Sequence, residues 1–194
     1  MKRRGDYVIL DNGAAEDLVY GAKHLHTLAE QLEPDEIVIQ DVMGSGNDTL
    51  AMAQGFARYA QPDYRYMFVL QGTSMQEVLH SLRVVSNSTW AMYVTSIGIP
   101  RHLSTIDKYF RVNFLEFLLT EQFDKQFDFH FLGAHSWMKE IVLLAELAEG
   151  RVGIRGLDTS LPIYMGLLGL DLTKNRYVTR PQDFFDTTYT REMI

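Results

Sequence analysis

Six short apolar segments, "YVILDNG", "EIVIQDVMG", "YMFVLQGT", "WAMYVTSIG", "FHFLGAHS" and "VGIRGLDTS", recur along the chain, and each closes on small or polar residues. Their hydrophobicity is continuous rather than alternating, as it must be in a parallel sheet whose strands are buried on both faces. Most are followed by apolar residues at helical spacing, such as Leu18, Ala22, Leu25, Leu28 and Leu32, and then by a polar break. Strand starts fall roughly 25 to 35 residues apart, the length of a strand plus its crossover helix. The chain therefore reads as repeated βα units. Helices are expected over Ala14–Leu32, Asp48–Ala60, Ser74–Ser86 and Trp137–Glu149, with another at about Phe110–Phe123 after a loop. The tail from Leu172 has no clear period.

A chain of 194 residues with 46% hydrophobic and 12% aromatic content can bury one sizeable core, and no linker divides it, so residues 1–194 are expected to form a single domain. No run of about eighteen apolar residues occurs, and no apolar stretch follows the basic start "MKRRGD", so neither a membrane span nor a secretory signal is expected. A cytoplasmic protein is the expectation. The absence of cysteine excludes disulfides and any Cys-ligated zinc or iron–sulfur centre. A formal charge of −7 argues against a broad nucleic-acid-binding surface, because phosphate contacts need clustered Lys and Arg, but it leaves room for a local basic patch.

Consecutive βα units suit either a doubly wound sheet or a (β/α) barrel, and the placement of polar residues separates the two. In a barrel, functional groups come from the C-terminal ends of several strands and converge on one mouth. Here the strand ends carry Asp11, Asp41, Gln71 with Gly72, Ser96 with Gly98, His135 just past Gly133, and Asp158. A dinucleotide-binding sheet with one glycine-rich loop would not need polar residues at that phase of nearly every unit. The expected fold is α/β and TIM-barrel-like, an open or truncated barrel of about six strands.

Taken in order, the strand ends resemble the tRNA-guanine transglycosylase family, including phage and bacterial relatives that insert 7-deazaguanine bases into DNA. "LDNGAAE" is similar to the family's DSGGFQ, and "IQDVMG" to the strand that carries its second pocket aspartate. "LQGT" resembles VQGG, "TSIGIP" resembles GGLAVGE, "FHFLGAHSWMKEI" resembles YLMGVGTPEDL, and "GLDTSLP" resembles FDCVMPTR. The chain departs from the family in three ways. Two strands that precede DSGGFQ have no counterpart before Tyr7, so the barrel stays open or is completed by a second copy or a partner protein. The family's zinc subdomain, which helps engage tRNA, has no cysteines to build it, which points to DNA rather than tRNA. Ala14, Ala15 and Glu16 replace the family's Gly, Phe and Gln, and Thr73 replaces the last glycine of QGG.

The resemblance implies a pentosyltransferase that exchanges guanine for a 7-deazaguanine through a covalent glycosyl intermediate, with no cofactor. It makes Asp158 the nucleophile and Asp11 the general acid/base, and it assigns Asp41, Gln71, Gly72, Ser96, Gly98 and His135 to substrate binding. Read from the residues alone, each position has a second explanation. Asp158, or Thr159 and Ser160 after it, can cap a helix with Pro162 in its first turn. "DNG" makes an Asx-turn at Asp11 as readily as an acid/base site. Asp41 can simply end a strand, Gln71 can face solvent, and Gly98 can be a permissive loop glycine.

The six histidines do not cluster. His24 and His26 stand two apart on a helix and point in different directions. "MGSGNDT" before a helix reads as a loop with an Asn or Asp cap, or as a phosphate site at the helix N-terminus. Arg101, Arg151 and Arg155 near the strand ends are candidate phosphate contacts or solvated surface. Two rival functions stay open, a metal-dependent hydrolase built on Asp11, Asp41, His135 and Asp158, and a catalytically inactive module that binds a nucleobase, nucleotide or protein.

Overall fold

The protein is seen in a computed structural model that describes residues 7–14, 20–133, 138–149 and 153–158. Six parallel strands, β1 (Ile9–Leu10), β2 (Glu36–Val38), β3 (Arg65–Val69), β4 (Val94–Pro100), β5 (Asp128–Leu132) and β6 (Ile154–Leu157), stand side by side in chain order. A doubly wound sheet would reverse its strand order at a switch point. Sequential order is that of a barrel, and the sheet curls into a half-barrel. Five helices, α1 (Ala22–Leu32), α2 (Gly46–Phe56), α3 (Met75–Asn87), α4 (Phe110–Thr120) and α5 (Met138–Ala148), alternate with the strands. No helix among the described residues is long and apolar enough to cross a membrane.

The helix ends follow local chemistry. Ser45 and Ser74 cap α2 and α3, each accepting at Oγ from the N–H three residues on, Asp48 and Glu77. The cap of α2 is thus Ser45 rather than the expected Asn or Asp. The first helix begins at Ala22 rather than Ala14, because Gly21 is extended and turns the chain into it; residues 15–19 lie outside the described residues, as do the tail from Leu172, His135 and Arg151.

The two faces of the sheet carry different cargo. On the convex face Ile37, Phe68, Ile97, Phe129 and Phe131 pack against Leu25, Phe56, Leu82, Phe114 and Leu118 of the helices. Each such side chain contributes about 1.5–3 kcal/mol on burial. Behind this layer, the fully buried Arg111 of α4 forms a bidentate pair with Glu140 of α5, at 2.9 and 2.6 Å, and donates to the Leu132 carbonyl at 3.1 Å. The concave face has a small apolar set, Val38, Met67 and Val69 with Ile9 and Leu132 against them.

Below that set, polar groups span the inside of the curl. Glu36, fully buried, accepts from Ser96 Oγ and pairs with Arg155 Nη2 at 2.5 Å. These residues come from β2, β4 and β6, alternate strands contributing to one layer as in a closed barrel. Arg155 Nη1 also donates to the Tyr7 hydroxyl at 3.2 Å, with the guanidinium 5.0 Å from the ring centre. A bulge makes this reach available. Phe129 pairs with Ile154 and His130 with Gly156, so Arg155 is the extra residue and turns inward. The corresponding skip at Thr95 in β4 lets its hydroxyl accept from Arg65 Nε at 3.2 Å, while Arg65 Nη2 pairs with Asp128 at 2.5 Å.

Removing Glu36 strands a mostly buried guanidinium, so Glu36→Ala is expected to cost about 3–5 kcal/mol in urea unfolding, with Glu36→Leu/Arg155→Leu together recovering most of the loss. A single-variant loss under about 1 kcal/mol would mean that the pair is screened as a surface pair is.

Candidate functional site

Parallel strands bring their C-terminal ends to one rim, and the residues just past β1, β2 and β3 meet there. Asn12 Nδ2 donates to the Ile39 carbonyl at 2.7 Å and to Asp41 Oδ1 at 2.6 Å. Gln71 Nε2 donates to Asp41 Oδ2, and Gln71 Oε1 accepts from the Gly44 N–H at 2.9 Å. The second contact fixes which end of the amide faces Asp41, since only the oxygen can accept. Asn12 is fixed likewise, its Oδ1 accepting from the Ala14 N–H at 2.8 Å. Asp41 is therefore a carboxylate whose two oxygens each receive an amide donor oriented from behind.

Burial pushes the Asp41 carboxyl above its ordinary pKa, the hydrogen bonds from Asn12 and Gln71 oppose this, and the nearby charge of Asp11 adds to the rise. Asp11 itself is exposed and makes the Asx-turn that "DNG" allows, with Gly13 N–H donating to its Oδ1 at 3.2 Å and Gly13 at φ 73°. One Asp11 oxygen is thus engaged in the turn. Gln71 is buried, 2% exposed, which removes the solvent-facing alternative.

Gly72 follows at φ 150° and packs against Glu77 and Val78. Glu77 accepts from Gly46 N–H at 2.7 Å and Thr73 N–H at 3.0 Å, so the anion position at the start of α2 is filled by a side chain of this protein. The Thr73 and Gly46 N–H groups hold the Glu77 carboxyl below its ordinary pKa. Gly46 must be glycine, since a Cβ there would stand 2.7 Å from Ser81 Oγ and 2.9 Å from the Gln71 carbonyl.

Two expected site residues are not at the rim. Strand β4 runs on to Pro100, which leaves Ser96 and Gly98 inside it. Ser96 is fully buried and spent on Glu36. Gly98 is a strand residue rather than a loop glycine, its carbonyl accepting from Leu70 N–H at 2.9 Å and its missing side chain replaced by Leu132 and Met67. At the real end of β4, the turn Arg101–Thr105 carries Arg101 and His102, and burial with the Arg101 charge lowers the His102 pKa.

Asp158 stands immediately past β6, exposed, with its N–H donating to the Phe131 carbonyl at 3.0 Å and its Oδ1 accepting from Gly133 N–H. The helix-capping alternative rests on Thr159, Ser160 and Pro162, which lie outside the described residues. Of the three arginines, Arg155 is committed to Glu36 and Tyr7. His26 is a core residue, Nδ1 at 2.8 Å from the Ala22 carbonyl and Nε2 at 3.0 Å from the Tyr66 hydroxyl, while His24 stacks on Tyr20. No three His, Asp or Glu side chains converge as metal ligands among the described residues.

Sequence reasoning missed Asn12, Glu77 and His130. Glu77 had a legible signal, since "SMQE" places an acid three residues after a capping serine. Asn12 was read only as part of a turn, and His130 lies within β5 rather than at a strand end. The chain matches no protein-family model, and no curated protein or solved structure shows significant similarity to it.

Since the Asp41 pKa is raised in the fold, its contribution to stability is complete below its unfolded value of about 3.9 and is lost as pH rises through the folded value. Asp11→Asn removes a charge that disfavours ionisation, so carboxyl-carbon NMR is expected to show Asp41 titrating at lower pH in that variant. An unchanged Asp41 titration would separate the two carboxylates electrostatically.

Proposed function

We propose that the protein exchanges a purine base at the glycosidic carbon of a polynucleotide, guanine for a 7-deazaguanine, with DNA as the substrate. The observation that carries the reading is the fixed Asn12–Asp41–Gln71 array beside Asp11 at the strand ends. A carboxylate has about four lone-pair directions and an amide nitrogen two hydrogens. After the internal bonds are counted, Asp41 can still accept from the N1–H and 2-amino group of a guanine, and Gln71 has one N–H left for its O6. The half-barrel adds to this. Arg155 contacts Tyr7, just before β1, and Asp11 and Asp158 follow the C-terminal ends of β1 and β6.

In the proposed reaction the Asp158 carboxylate attacks C1′ as the C1′–N9 bond breaks, and the bonding pair leaves with the base. The Asp11 carboxyl delivers a proton to the departing base and takes one from the incoming base. The new base then displaces Asp158 from C1′, and no net proton or electron is consumed. A retained carboxylate nucleophile of this kind is the logic of a retaining glycosidase. The hydrolase alternative needs Asp41 oxygens turned to a cation, whereas both face amide N–H groups. The six strands among the described residues, against about eight in a closed barrel, favour a second copy or a partner protein as part of the working assembly.

Incorporation of labelled guanine or a 7-deazaguanine into DNA and tRNA tests the reading. Wild type is expected to label DNA, and Asp158→Asn is expected to lose activity by orders of magnitude while stability changes by about 1 kcal/mol or less, as for an exposed side chain. Tight base binding with no incorporation by wild type would select the binding-module reading instead.

A further inference from the structure

The array past β1, β2 and β3 consists of amides and carboxylates, which can recognise the edge of a base but do nothing for its faces. Proteins hold bases by their faces as well, with a ring or a polarizable thioether laid against the π-system. The segments that build this side of the rim, residues 11–14, 39–46 and 70–75, contain no aromatic residue. They contain two large apolar side chains that the fold leaves exposed, Met43 at 57% and Met75 at 37%.

A single exposed apolar residue is ordinary on a protein surface, so exposure alone decides nothing. What sets Met43 apart is where its backbone is fixed. Residues 42–45 form a tight turn, the Ser45 N–H donating to the Val42 carbonyl at 3.0 Å, with Gly44 at φ 76° as at the third position of a type II turn. Met43 is the corner residue. The turn is pinned to α2, since Val42 N–H donates to Thr49 Oγ1 at 2.9 Å and the Thr49 hydroxyl donates back to the Val42 carbonyl at 3.2 Å. It is pinned to the array as well, through the Gly44 N–H that donates to Gln71 Oε1 at 2.9 Å and so aims the Gln71 amide at Asp41. The Met43 Cα is two covalent bonds, of about 1.5 and 1.3 Å, from that nitrogen. Its side chain therefore starts beside the Gln71 amide and has three rotatable bonds with which to reach.

Met75 is placed differently. It opens α3 behind the Ser74 cap, and the acid that ties its loop, Glu77, binds Thr73 and Gly46 rather than the array. Met43 packs against neither apolar cluster of the fold, so its apolar surface faces water in the free protein.

We propose that Met43 is the stacking residue of the base site, its thioether lying against one face of the purine whose edge Asp41 and Gln71 read. This rests on the base-reading role given to the array above. A purine brought edge-on to the Gln71 amide comes within a side chain's length of the Met43 Cα, and covering its face takes both ring and thioether out of water. Guanine and a 7-deazaguanine differ at ring position 7, on the edge, and present alike faces. A thioether wall thus serves the departing and the arriving base equally, as an exchange requires.

The test is methyl NMR of the full-length protein labelled at the methionine Cε, with free guanine as the probe. The chain has nine methionines, and the signal lost in Met43→Leu identifies Met43. The Met43 methyl is expected to move upfield with guanine, as a methyl over a ring face does. Met92, 72% exposed and just before β4 at the opposite end of the strands, is expected to stay. Met43→Ala is expected to weaken guanine binding about fivefold and Met43→Leu to recover most of the loss, with urea unfolding midpoints unchanged. A Met43 methyl that stays while the Asp41 carboxyl signal moves with guanine would overturn the stacking and leave the base reading in place. Neither signal moving would remove both. Movement of Met75 in place of Met43, or of Met92 as far as Met43, would also overturn the assignment. A Met43 shift in a protein that incorporates no labelled base would keep the stacking contact and remove the exchange.

Discussion

The half-barrel depends on one carboxylate. Glu36 is fully buried on the concave face, where an unpaired charge would be prohibitive, and its two oxygens are met one each by Ser96 of β4 and Arg155 of β6. An open parallel sheet has no covalent or ladder constraint on how strongly it curls. A side chain from the second strand and a side chain from the last strand that must touch each other set that curl directly. Tyr7 extends the tie to the chain entering β1, so the edge strands are held toward one another without a ladder between them. Buried ion pairs often add little net stability. Here the pair fixes geometry, because no apolar pair of the same size would require this one approach.

What the curl delivers is a rim with two unlike sides. Past β1, β2 and β3 the side chains are amides and carboxylates whose orientations are locked by backbone groups, Gly44 for Gln71 and Ala14 for Asn12. Among the described residues past β5 and β6, Asp158 accepts from the Gly133 N–H, and within β5 a histidine ring stands between two glycines. Locked amides suit recognition, since their donors are aimed before any ligand arrives and little ordering remains to be done on binding. An exposed carboxylate suits attack on a carbon.

The repeated βα units and the barrel order were legible in the sequence because both follow from pattern: continuous apolar runs fix the strands, and polar residues at one phase of each unit imply one mouth. Individual residues were legible only where the strand end was. Ser96 and Gly98 sit in "TSIGIP", and small residues there read as a strand terminus, but Pro100 is still in the strand and needs no N–H to end it. The faces of Gly156 and Asp158 were hidden for a different reason. The bulge opposite Phe129 and His130 shifts the alternation by one, so counting along "GIRGLD" from Ile154 sends Gly156 and Asp158 to the helix side and misses the inward face they share with Arg155. A bulge leaves no mark in composition.

The same bulge couples the structural tie to the candidate chemistry. In an unbulged register residue 155 would stand level with His130 and Gly156 with Phe131, so Gly156 and Asp158 would fall on the helix-facing side, since a one-residue slip exchanges the faces of everything after it. With the bulge, consecutive residues 155 and 156 lie on one face, the guanidinium reaching Glu36 and the glycine standing level with His130. Asp158 inherits its direction from the same offset, two residues farther along the strand. The inserted residue thus sets the face of everything after it in β6, Asp158 included, while Arg155 beside it makes the tie to Glu36, which makes the phase of β6 a demanding constraint on this sequence.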